Sequence, residues 1–178
     1  MNARKLHIGA GRVYIPGWTN IDLFDTHQAD IYCDLTRLPF DPGTFDLVYA
    51  SHVLEHVHRK EVVATLFHWG QMLKPGGVLR IAVPNFEAVA KRYLVTKNLP
   101  ELMGLLYGGQ NHPRNNHFVT FDKPTLTEAF TRAGLKDVRE WDWHSTDHAQ
   151  YDDYSQCFLP HLDKMNGQLM SLNMEATR

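Results

Sequence analysis

Gly9-Ala10-Gly11, Asp22, Ser51, His52 and His117 stand where their side chains, or lack of them, can do chemistry. The apolar run Leu6-His7-Ile8 ends in the glycine turn, and a second short run, Asn20-Ile21-Asp22-Leu23, carries an acid at its end. Glycine takes positive φ and allows close approach to the backbone, while a carboxylate at the end of the next strand accepts hydrogen bonds from two ribose hydroxyls. Strand, tight turn, strand, acid is the pattern of a nucleotide-cofactor sheet. The purely structural reading of the same residues is a turn glycine and a capping aspartate. Ser51 and His52 follow another strand, at the edge where ligands of open α/β sheets collect, and Ser51 is expected to contact the cofactor. His52 is the leading proton acceptor because unperturbed imidazole titrates near physiological pH, and His117 is the second.

The elements that must position these groups follow from periodicity. Residues 29–33 give a short third strand and 45–50 a fourth, with no helix-length segment between the first three. Parallel strands normally need a crossover of a dozen or more residues. Between Gly11 and Trp18 only a compact loop or one helical turn fits, so the first crossover helix is shortened or absent and the cofactor face is open. From Arg59, Val62, Val63, Leu66, Phe67, Gly70 and Leu73 form one helical face, which Lys74-Pro75-Gly76-Gly77 stops. The near-continuous apolar run 78–83 predicts a strand inside the sheet. Phe86, Val89, Ala90, Tyr93 and Leu94 mark another helix, and Pro100 opens a further one through Tyr107. After a polar loop at 108–116, Asp122 caps a helix that buries Leu126, Ala129 and Phe130 and ends at Gly134. An outer strand at 135–141, a long aperiodic stretch at 142–166 read as functional or mobile, and an antiparallel last strand at 169–175 complete the chain.

With 178 residues, the chain supports one domain over 1–178. Eighteen basic against 20 acidic residues, a net charge of −2, leave no electrostatic footprint for nucleic acid. No window of about 18 apolar residues exists, and the run after Met1-Asn2-Ala3-Arg4-Lys5 is too short for a secretory signal, so a cytoplasmic location is expected. Cys33 and Cys157 have neither metal nor redox spacing; they are expected reduced, with Cys33 in a buried strand.

The segments LHIGAG at 6–11, NIDL at 20–23, DLTRLPFDPGTFDLVYASHVLEHV at 34–57, LKPGGVLRIAVPNF at 73–86 and HFVTFDKPTLTEAFTRAGL at 117–135 resemble the class I S-adenosylmethionine-dependent methyltransferases, in particular the small type 11 group. The resemblance implies an α/β fold: a doubly wound, mostly parallel seven-stranded sheet with a reversed C-terminal strand. It implies that Gly9, Ala10 and Gly11 pass under the methionine and ribose of the cofactor S-adenosylmethionine, and that Asp22 holds the ribose hydroxyls with Leu23 beside the adenine. Asp34 would accept from the adenine amino group, with Leu35 packing beside it. Val13 stands where many relatives have a third glycine.

Methyl transfer from a sulfonium is an in-line displacement, so orientation is its first demand and a base for a hydroxyl acceptor its second. The expected acceptor is a small molecule or a glycan-linked oxygen or nitrogen; no nucleic acid and no transmembrane segment are indicated, and a homodimer is left open. Tyr14 is assigned to closure of the pocket. Glu55 is divided between a site role and favouring the positive end of a helix, and His56 reads as a packed or surface histidine. His112, His144, Asp147 and His148 have no familiar ligand spacing and read as solvent-facing loop residues, so no metal is expected. Two other functions remain open at this stage: a noncatalytic binding or scaffold protein with the same fold, and an NAD-dependent oxidoreductase.

Overall fold

The computed structural model describes residues 3–25 and 28–178; Met1 and Asn2 of the opening pentapeptide lie outside the described residues. In chain order the strands are β1 (Lys5–Ile8), β2 (Thr19–Asp22), β3 (Ile31–Tyr32), β4 (Phe45–Ser51), β5 (Leu73–Pro84), β6 (Lys136–Glu140), β7 (Phe158–Leu159), β8 (Gln168–Leu169) and β9 (Ser171–Thr177). The helices are α1 (Val62–Gln71), α2 (Phe86–Thr96), α3 (Met103–Tyr107) and α4 (Lys123–Arg132). Seven strands form one sheet in the order β3-β2-β1-β4-β5-β9-β6, and β7 and β8 pair as a separate antiparallel ribbon. The pairs among β1 to β5 are parallel, whereas β9 runs antiparallel to both β5 and β6. The mostly parallel seven-stranded sheet with a reversed last strand is thus present.

Alternation along the central strands sends side chains to two cores. Val48, Ala50, Leu79, Ile81 and Val83 meet Val62, Leu66 and Trp69 of α1 and Leu126, Ala129 and Phe130 of α4. Tyr49 and Ala82 point the other way, into a second cluster with Ile15, Trp18 and Trp141. Among the described residues no α-helix contributes to that second cluster. In its place lie the 9–18 turn and the 142–157 segment, whose Trp143 and Tyr151 pack against it. The long segment expected to be functional or mobile is therefore a structural cover over much of its length. His148, Ser155 and Gln156 are buried, the Tyr49 hydroxyl donates to Asp153 Oδ2 over 2.5 Å, and Asn173 Nδ2 donates to the Ser155 carbonyl over 2.9 Å.

Other local expectations shift for physical reasons. The buried face of α1 is Val62, Thr65, Leu66, Trp69 and Gly70, while Phe67 is exposed and Leu73 already belongs to β5. Trp69 takes the inner place because its indole N–H also donates to the Leu35 carbonyl at 2.7 Å. On α2, Phe86, Tyr93 and Leu94 are exposed; the helix packs through the smaller Ala88 and Val89 against Leu102 and Met170. Cys33 lies just past β3, half-buried against the core, and both cysteines are free. The α4 start follows expectation: the Asp122 carboxylate accepts the Thr125 N–H, and the Thr125 hydroxyl closes a capping box. Among the described residues no helix is long and apolar enough to cross a membrane.

Candidate cofactor and acceptor site

The glycine turn is laced to the end of β2. The N–H groups of Gly9 and Ala10 both donate to the Ile21 carbonyl, at 2.9 and 3.0 Å. Gly9 has φ +71° and Gly11 φ +55°, and a methyl group added at Gly9 would run into Val53 Cγ2, so this position needs glycine twice over. Asp22 is buried, its Oδ2 accepting the Gly11 N–H at 2.7 Å and its Oδ1 the Phe24 N–H at 2.9 Å. These two bonds fix the orientation of the carboxylate at the end of β2. Leu23, beside it, is half-buried.

The short crossover is organised by Asn20, which is fully buried on β2. Its Oδ1 accepts the Ile15 N–H, its Nδ2 donates to the carbonyls of Ile15 and Trp18, and His7 Nδ1 lies 3.1 Å from the same Oδ1. One side chain thereby satisfies backbone groups that a helix would have paired internally. Tyr14, on the exposed rim of this loop, donates its hydroxyl to Asp30 Oδ1 at 2.8 Å. That bond raises the Tyr14 pKa above the ordinary phenol value. Asp34 is exposed and turns on itself, accepting from the Thr36 N–H and hydroxyl, which lowers its pKa. Leu35 packs against the core, its side chain facing Gly9 beyond Val53.

The turn after β4 carries the titratable groups. Ser51 is buried and its Oγ has no well-aligned hydrogen-bond partner among the described residues. His52 adopts φ +53°, which turns its ring inward: Nδ1 lies 3.2 Å from Glu55 Oε1, Nε2 lies 3.2 Å from Ser171 Oγ, and the ring faces Tyr154 at 5.3 Å. Glu55 sits in a three-residue 3-10 turn, Leu54–His56, rather than at the start of a long helix, and its carboxylate is buried. His56 and His117 join it, their rings edge to face at 4.8 Å. His56 Nδ1 bonds the Asn116 carbonyl and His117 Nδ1 the Leu105 carbonyl, both at 3.1 Å, and the Phe118 N–H donates to the Glu55 carbonyl at 2.8 Å. Burial raises the cost of charge on Glu55, but the facing His52, His56 and His117 more than offset it and hold its pKa below the usual value. Burial lowers the pKa of His117.

The structure therefore brings His52 and His117 to one carboxylate and packs His56 with them, one of the two placements read for it. Glu55, His56, Asn116 and Tyr154 were missed as a group. The available signal was the three- and four-residue spacing of His52, Glu55 and His56, which one helical turn gathers on one side. The other histidines separate: His144 is exposed and bonded to Asp142, His112 meets Phe24 at 5.1 Å, and Asp147 pairs with Lys5. His148 departs from its solvent-facing reading. It is 1% exposed, packed against Tyr49, Trp18 and Trp141, because the 142–157 segment covers the face that lacks a helix.

The profile of a family described as a methyltransferase domain matches residues 8–140, and the chain belongs to that family within the class I S-adenosylmethionine-dependent methyltransferase superfamily. No curated protein shows significant similarity to it. Among solved structures it is similar to an S-adenosylmethionine-dependent methyltransferase of Thermotoga maritima described as a possible histamine N-methyltransferase, with TM-score 0.61 and 14% identity over 99% of this chain and 83% of that one. An S-adenosylmethionine-dependent methyltransferase of Mesorhizobium loti aligns with TM-score 0.59 and 19% identity over 99% of this chain and 91% of that one. The 1,6-didemethyltoxoflavin-N1-methyltransferase of Burkholderia thailandensis, bound to 1,6-didemethyltoxoflavin and S-adenosylhomocysteine, aligns with TM-score 0.57 and 16% identity over 99% and 71% of the two chains. At these identities the likeness is one of fold.

Proposed function

We propose that this protein transfers the methyl group of S-adenosylmethionine to an oxygen or nitrogen of a small-molecule or glycan-linked acceptor, at the carboxyl edge of β1, β2 and β4. The observation that carries the reading is the contact of Val53 with Gly9: the residue after His52 forms the wall of the glycine turn, so the cofactor cradle and the histidine turn share one surface. Gly9, Ala10 and Gly11 leave room for the adenosyl-methionine chain, Asp22 takes the ribose hydroxyls, and Leu23, Asp34 and Leu35 border the adenine. When bound, the cofactor supplies an electrophilic methyl group on a sulfonium.

The chain's own residues position the acceptor and receive its proton. Glu55 Oε1 favours hydrogen on His52 Nδ1, and His52 serves as a base through Nε2 once the acceptor displaces its 3.2 Å contact with Ser171 Oγ. Ser51 Oγ, buried and without an aligned partner, supplies a hydrogen bond to the cofactor. His117 is the second proton acceptor, and Tyr154 closes over His52. The expected location is cytoplasmic.

Calorimetry with S-adenosylhomocysteine, followed by transfer of labelled methyl from S-adenosylmethionine into small-molecule and glycan fractions, tests the reading. Saturable binding with label in one fraction supports it. Binding without transfer to any fraction would instead identify a noncatalytic cofactor-binding protein.

A further inference from the structure

Glu55, His56 and His117 form a constellation that methyl transfer does not by itself require. One donor atom from each lies within 4.8 Å of the others. The two imidazoles are fixed through Nδ1 to the carbonyls of Asn116 and Leu105, so the nitrogen left without a carbonyl partner on each ring is Nε2. Histidines that ligate metals are typically held in this way, with one nitrogen donating to a carbonyl or carboxylate and the other left basic. The Glu55 side chain is 1% exposed; His52 Nδ1 faces Oε1 at 3.2 Å, and Oε2 has no hydrogen-bond partner among the described residues. A buried carboxylate without a full set of aligned donors is costly, and a cation set between it and the facing imidazoles lowers that cost further.

We propose that Glu55, His56 and His117 bind a divalent transition-metal ion of the zinc type. Two imidazoles and one carboxylate are a borderline-soft nitrogen and oxygen set, suited to zinc or cobalt and poorly suited to calcium or magnesium, which favour all-oxygen shells. Tetrahedral ligands about 2.0–2.2 Å from zinc stand roughly 3.3–3.6 Å apart, so the ion draws the three donors inward from their 4.8 Å envelope. Ligation of Glu55 through Oε2 leaves Oε1 to face His52, which then acts as a positioning residue for the carboxylate. Three protein ligands leave a fourth position open, the arrangement of reactive rather than structural zinc sites. Resting on the methyl-transfer reading, that position receives an acceptor hydroxyl and favours its deprotonated form, which points to an oxygen rather than a nitrogen acceptor.

The test uses the full chain stripped with chelator and titrated with zinc and, separately, cobalt chloride. One equivalent should bind at micromolar concentration or tighter, and cobalt should give visible bands of four- or five-coordinate geometry. Glu55→Gln, His56→Asn and His117→Asn should each weaken binding at least tenfold, while His58→Asn, at an exposed histidine outside the cluster, should leave it unchanged. Should Glu55→Gln fail to fold, the two histidine variants carry the test. Less than one equivalent bound, or ligand variants indistinguishable from His58→Asn, would overturn the site. Calorimetry with S-adenosylhomocysteine on the same samples separates the two readings, since failure to bind it would remove the cofactor assignment without altering the metal stoichiometry.

Discussion

Asn20 and Ile15 exchange a pair of hydrogen bonds, Oδ1 accepting the Ile15 N–H and Nδ2 donating to the Ile15 carbonyl, each at 2.9 Å. This clamp lets β1 and β2 lie parallel with only residues 9–18 between them. Removing it strands buried backbone groups, each costing about 1–3 kcal/mol. Asn20→Ala should destabilise the fold by roughly 2–4 kcal/mol, read as a fall in urea midpoint at unchanged slope. A change within experimental error would mean that the crossover is held by apolar contacts of Ile15 and Trp18 alone.

The cofactor cradle gives a paired expectation. Asp22→Ala should weaken S-adenosylhomocysteine binding by about 1.5–3 kcal/mol, the value of a hydrogen bond to a charged group, or roughly 10- to 150-fold by calorimetry. Gly9→Ala should also weaken binding, because its methyl group meets Val53 and its φ is +71°. Adding Val53→Ala relieves the collision but not the backbone strain, so affinity should return only in part. Full recovery would show that space alone matters, and native affinity in a folded Asp22→Ala protein would remove the ribose assignment.

His52→Gln keeps a hydrogen-bonding side chain but loses the basic nitrogen. Single-turnover rates should fall roughly 100-fold or more, a magnitude typical of removing acid-base assistance, with S-adenosylhomocysteine affinity unchanged. A near-native rate would remove His52 as the proton acceptor.

The packed aromatic face predicts a pH dependence of stability. Burial lowers the His148 pKa from 6.5 to about 4, and burial likewise lowers that of His7. Between pH 6.5 and 4 the unfolded chain binds a proton at position 148 that the folded chain does not, so stability is full above 6.5 and falls as the pH drops towards 4. The slope reaches about 1.4 kcal/mol per pH unit for one group, on the order of 3 kcal/mol over the window. His148→Phe should flatten the urea midpoint across this range, and an unchanged profile would assign the acid sensitivity to His7 or to carboxylates.

The amino-acid sequence by itself determined the features that are local in the chain. The glycine turn followed by Asp22, the Asp122 cap and the buried face of α4 all rest on turn chemistry or on a periodicity contained within one element. Even the missing first helix was countable, because too few residues separate β1 from β2. What the count left open was what would replace that helix. Only the tertiary structure decided that the 142–157 segment covers Tyr49 and buries His148, since the pairing joins residues about a hundred positions apart and follows from apolar area that no neighbouring segment could cover. The same holds at the site. Glu55 and His56 are adjacent, but His117 reaches them because the Phe118 N–H bonds the Glu55 carbonyl, and no local pattern encodes a contact across sixty residues. Phe86, Tyr93 and Leu94 show the converse: helical spacing established α2, yet which face it buries was set by its packing against Leu102 and Met170.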